Sequence, residues 1–201
     1  MSGVKEELKY IENAIYNKKV ADNVNLVGAE VTFRDFSTLM IDRLNAESAN
    51  FKASIFDEAS FNDCSFENTN FQSCSLKCIH AVDSNFKNTN FKDANLKGGK
   101  IFISFGTKAC FDDADLSGVQ LDDFSLIEAS FKNASLINVN VVDSNFQKAD
   151  FQGANFFNAS FNEVDFCGAN LIGVNLEGAT FKNCNFEEVI IEPERRKILD
   201  K

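Results

Sequence analysis

The residues able to carry chemistry are few in this chain, and their spacing keeps them apart. His80 is the only histidine. It precedes Ala81 at an outward corner, with no second acid or base placed beside it for proton transfer. Cys74, Cys78 and His80 form a crude ligand set, but a metal needs side chains that converge. Cys74 falls on an inward position, whereas Cys78 and His80 fall on outward positions of different edges. The glycines at 98, 118, 153, 168, 173 and 178 sit at turns and show no strand-to-helix phosphate loop. Of the six cysteines, Cys64, Cys74 and Cys184 are inward and Cys78, Cys110 and Cys167 outward, which gives no disulfide framework. The expectation is a protein that is not an enzyme, with no cofactor and no metal, carrying free thiols in a reducing cytoplasm.

The surface chemistry that remains is acidic. Asp63, Asp83, Asp123, Asp143 and Glu163 recur in one column, interrupted only by Ile103. Carboxylates about 5 Å apart repel by roughly 1 kcal/mol even in water. Turn chemistry offers one account of the column, because Asp bonds to nearby backbone, and a functional acidic surface offers another. A net charge of −10 argues against direct nucleic-acid binding, which needs a positive surface, and favours basic partners. Apolar residues join the same region: Phe102 and Ile103, with Val82 and Val142, on one face, and Ile137 with Phe157 on the preceding one. Lys52, Lys92 and Lys132 read as a solvated face.

What must position these residues is a repeat of five. From Leu26 to Ile191 every fifth residue is Phe, Leu, Ile or Val except Ala46, Ala81 and Gly106, with no insertion or deletion over thirty-four pentapeptides. The residue two places earlier is mostly small, and the one just before is usually Asn, Asp or Ser. Such a period matches neither helix nor strand. Seventeen of the 22 Phe residues are central, so the aromatic stripe is core. Taken twenty apart, the length of the four-pentapeptide coil that the resemblance below implies, Phe51, Phe71, Phe91, Phe111, Phe131 and Phe151 should stack in one column, and Phe66, Phe86, Phe146, Phe166 and Phe186 in a second. Where the centre is small, Leu44 and Ile79 move the inward volume two residues earlier. For Gly106 two accounts stand: Phe124 leaning in from the coil above, or a bulge turning Phe105 inward.

The segments Asp93-Ala94-Asn95-Leu96-Lys97, Asp113-Ala114-Asp115-Leu116-Ser117 and Gly168-Ala169-Asn170-Leu171-Ile172 resemble the pentapeptide-repeat family. The resemblance implies an all-β fold, a right-handed quadrilateral parallel β-helix with four pentapeptides per square coil, hence about eight and a half coils here. In that family the best understood members resemble DNA in girth and charge, bind type II topoisomerases and protect them from quinolones or peptide toxins. The implied partner is DNA gyrase or topoisomerase IV. Members with the strongest protection often carry projecting loops, which this register lacks, and gyrase-binding members dimerise through a C-terminal cap. The alternative is a general protein-interaction scaffold using Phe102, Ile103, Ile137 and Phe157.

The organisation expected is an N-terminal capping helix over 1–21, the repeat over 22–191 and a short C-terminal cap or tail over 192–201. Val4, Leu8, Ile11 and Ile15 recur at helical spacing, with Glu6 and Glu7 placed in the first turn and Lys18 and Lys19 in the last. The far end has only a short tail after Pro193, so a homodimer through Phe186, Ile191, Ile198 and Leu199 would close it. Charged residues among the first eight argue against a signal peptide, and no stretch approaches a membrane span.

Overall fold

The computed structural model describes residues 2–199; Met1, Asp200 and Lys201, at the two ends of the expected organisation, lie outside the described residues. An α-helix, α1 (Ser2–Tyr16), is followed by nine short strands: β1 Val20–Asp22, β2 Met40–Asp42, β3 Ser60–Asn62, β4 His80–Val82, β5 Lys100–Phe105, β6 Gln120–Ser125, β7 Asn140–Val142, β8 Ser160–Asn162 and β9 Thr180–Lys182. They form one parallel sheet in sequence order, each residue pairing with the one twenty further on, as Ala21 with Ile41 and Phe61 with Ala81. The other three faces are joined by single parallel bridges such as Asn25 to Asn45, Glu30 to Asn50 and Asp35 to Ile55. The result is the right-handed four-sided β-helix that the family resemblance implies.

Each position of the pentapeptide has a physical role. The central side chains fill the interior: Phe71, Phe91, Phe111 and Phe131 stack face to face with ring centroids 5.3, 4.8 and 4.8 Å apart, the spacing of adjacent strands. The preceding Asn or Asp accepts the N–H two residues on, as from Lys92 to Asn90 Oδ1 at 3.0 Å, and so closes the turn. Two residues before the centre, small polar side chains bond to the coil below: Thr69 Oγ1 donates to the Ala46 carbonyl and Thr89 Oγ1 to that of Phe66, both at 2.7 Å. On three faces the central carbonyl accepts the N–H three residues on, as Phe36 from Leu39 at 3.1 Å. The residue between them that closes the turn has positive φ, a type II turn.

The fourth corner, after each strand, is built differently. There the N–H groups of Cys64, Ser84 and Phe124 reach serine hydroxyls of the next coil, Ser84, Ser104 and Ser144, at 3.3, 3.1 and 3.2 Å. At the exceptional coil Phe124 is buried and Phe105 is half exposed. Phe124 therefore fills the space at Gly106, and the bulge with Phe105 inside does not occur.

A helical element lies at each end of the coil stack. Ile11 and Ala14 of α1 are buried against the first coil, with Val4, Leu8 and Ile15 packed around them. The charge placement differs from expectation. The helix begins at Ser2, so Glu6 and Glu7 lie beyond its first turn, and it ends at Tyr16, before Lys18 and Lys19. Lys18, at φ 52°, ends it: Lys18 N–H bonds to the Ile15 carbonyl and Lys19 N–H to that of Ala14, a Schellman arrangement. Arg34, on an otherwise inward position, turns out to meet Glu12 of α1 at 3.4 Å. At the other end a 3₁₀ helix, Pro193–Ile198, folds back. Arg195 donates to the Val174 carbonyl and Arg196 to that of Phe186, so two carbonyls of the open edge gain donors.

Candidate partner-binding edge

Asp63, Asp83, Asp123, Asp143 and Glu163 all stand exposed at the fourth corner, with φ between 48 and 58°. Left-handed backbone suits Asp and Asn, which accounts for part of the column. It does not account for charge, because the same backbone elsewhere is served by neutral residues, as at Gly98, Gly118, Asn138, Asn158 and Gly178 on the preceding corner. Nor does it account for Glu163.

Eight carboxylates of the described residues form ion pairs, and none of them belongs to the ladder. On other faces carboxylates and lysines pair between neighbouring coils: Asp57 with Lys77 and Glu67 with Lys87 at 3.0 Å, Asp150 with Lys132 at 3.2 Å, and Asp113 with Lys92 at 3.5 Å. The Lys87 ammonium, hydrogen-bonded to Glu67, holds that carboxyl below its ordinary range. Among the described residues the five ladder carboxylates form no ion pair. The lysines Lys92 and Lys132, read from sequence as solvated, belong to the pairing set.

The apolar candidates divide. Ile103 is well exposed, whereas Phe102, Ile137 and Phe157 are half-buried. Ile137 and Phe157 lie twenty residues apart on the face before the strands, and Phe102 lies on the strand face. The sequence reading missed Phe105 as a surface residue. Its signal was present: it takes the place that Asn85, Ser125 and Asn145 hold in neighbouring coils. At the C-terminal end Leu199 is 7% exposed against its own chain and Ile198 is 38% exposed, while Phe186 and Ile191 are partly buried.

The remaining candidates are dispersed. Cys74 is buried with its Sγ 3.0 Å from the Phe51 carbonyl, Cys78 is exposed, and His80 sets its ring edge-on to Phe102 at 5.7 Å. Burial pushes the Cys64 and Cys74 thiols up to about 11.

A four-sided solenoid of five-residue units with a phenylalanine-filled interior is a repeat protein. The chain belongs to the pentapeptide-repeat family: the family profile, Pentapeptide repeats, matches residues 47–77, 109–147 and 149–187 in eight copies. Two trypsin-treated variants of QnrB1, a plasmid-mediated fluoroquinolone resistance protein, share the fold. One is 15% identical with a TM-score of 0.54, covering 90% of this chain and 94% of that one; the other is 16% identical with a TM-score of 0.53, covering 85% and 93%. HetL, involved in heterocyst differentiation regulation in the cyanobacterium Nostoc, aligns at 19% identity and a TM-score of 0.45, over 90% of this chain and 95% of its own. No curated protein matches the chain in sequence.

Proposed function

We propose that this protein is a non-enzymatic binding rod that presents its acidic edge to a basic groove, and that the groove belongs to a type II topoisomerase, gyrase or topoisomerase IV, which it occupies in place of DNA. The observation that carries the reading is the alignment: five exposed carboxylates stand in one column, one or two coils apart, and none of them forms an ion pair. Unpaired like charges oppose stability, and complementarity to a partner is what such an arrangement provides. The fold shared with QnrB1 supports the choice of partner. The test is gyrase supercoiling with and without a quinolone. The parent protein shifts the inhibition, and changing Asp63, Asp83, Asp123, Asp143 and Glu163 to Asn or Gln abolishes that effect; the same changes at Glu47, Glu67 and Glu187 do not. Indifference of gyrase to the parent overturns the topoisomerase reading.

A head-to-head homodimer is the second element of the proposal. Phe181, Cys184 and Phe186 of the last coil are only partly buried, although their equivalents in earlier coils are enclosed, and a two-fold contact through Phe186, Ile191 and Ile198 would cover them. Light scattering at tens of micromolar reads twice the monomer mass; a monomer alone rejects the dimer.

A further inference from the structure

One coil departs from its neighbours on the outside. Phe102, Ile103 and Phe105 stand where the coil before carries Val82, Asp83 and Asn85 and the coil after carries Asp122, Asp123 and Ser125. Ile103 is 54% and Phe105 50% exposed. Neither is the choice that stability makes. Ile103 sits at φ 49°, where a β-branched residue is an outlier, and strain of this kind gathers at sites of contact. Phe105 gives up a turn bond that Asn85 and Asn145 make to the N–H of Lys87 and Gln147, each at 2.9 Å. The platform is firm: β5 and β6 run through this corner, pairing Ser104 with Phe124 and Phe105 with Ser125.

We propose that Phe102, Ile103 and Phe105 form an apolar anchor for a protein partner that presents an apolar side chain flanked by lysine or arginine. The proposal rests on the reading of the acidic edge above and adds what the edge must bind. Asp83 and Asp123 stand one coil to either side of Ile103, about 5 Å each way, and neither is paired. An occupant of the patch must therefore carry positive charge on both sides of its apolar group. A second copy of this chain would set acid against acid. Apolar anchors ringed by polar groups supply most of the binding energy at interfaces, while the charges set encounter rate and specificity.

The test uses two synthetic peptides of equal length and charge, one alternating Lys with Leu and the other Lys with Ser. Each is titrated by fluorescence anisotropy onto the full chain and its variants. The parent binds the Leu peptide about tenfold more tightly than the Ser peptide. Ile103→Asn with Phe105→Asn binds both at the level of the Ser peptide, yet unfolds a few degrees higher because Asn accepts left-handed backbone. Ile103→Asp completes the ladder: it strengthens Ser-peptide binding and weakens the preference for Leu. Equal affinity of the parent for both peptides overturns the anchor and leaves the acidic edge standing. Binding of the parent that ignores salt overturns the acidic edge and leaves the anchor. Failure to bind either peptide overturns both. Self-association of the parent that the double variant abolishes overturns the proposal in favour of a second copy on the patch.

Discussion

The ring of Phe124 stands against Gly106: a Cβ built on Gly106 would lie 3.1 Å from Phe124 Cζ and 2.9 Å from a Leu126 methyl. The two residues exchange the usual roles of a small inward residue and a large centre. Phe124→Ala should cost about 3–5 kcal/mol and Gly106→Ala about 1–3 kcal/mol by overpacking. The pair Gly106→Phe with Phe124→Ser restores the common pattern, so its loss in urea unfolding should fall well below the sum of Gly106→Phe and Phe124→Ser measured singly.

Phe91 stacks on Phe71 and Phe111 at interplanar angles of 5 and 9°. Phe91→Ala should lower stability by roughly 3–5 kcal/mol. A shift below about 1 kcal/mol in denaturant unfolding, small even for an Ile→Val change, would mean the column does not support the rod.

Ala81 is small because Ile79 has taken the interior, and both are buried. The coil above accommodates Ile79 with Gly99, whose added Cβ would lie 3.2 Å from an Ile79 side-chain carbon. Ala81→Phe should therefore destabilise by roughly 1–3 kcal/mol. An unchanged denaturation midpoint would show empty space where the volume argument places none.

Cys64 and Cys74 link stability to alkaline pH. Burial raises each thiol from 9 to about 11, so between those values the folded chain binds more protons than the unfolded one. Their contribution is whole below pH 9 and is lost as pH rises through about 11. Cys64→Ser with Cys74→Thr, residue types found at equivalent places in Ser84 and Thr69, should reduce that alkaline loss relative to the parent. Under native conditions a thiol reagent should label the exposed Cys78 first and leave Cys64 and Cys74 protected until unfolding, a sequence that mass spectrometry of labelled peptides reads directly.

The fold was legible because the repeat makes each inward choice locally. A central Phe, a small residue two places before it and an Asn or Asp just before it are required by one pentapeptide and the coil it touches, so the register from Leu26 to Ile191 carried the repeat, and the family resemblance supplied the square coil. The acidic column was visible for the same reason. Its lack of partners was not, because pairing joins residues about one coil apart, as Lys87 reaches Glu67 and Lys132 reaches Asp150, and depends on which way each side chain leans.

Sequence alone determined the period, the interior ladder, the covering helix and the line of acids, since each follows from residue type at fixed spacing. Only the tertiary structure decided between Phe124 and Phe105 at Gly106, because both lie within reach and the packing of Phe86 and Leu126 selects one. It also turned the tail back so that Arg195 and Arg196 meet open carbonyls, and set Ile103 on left-handed backbone at an exposed corner. These are outcomes of contacts between coils, where the fit of one side chain depends on neighbours twenty residues away.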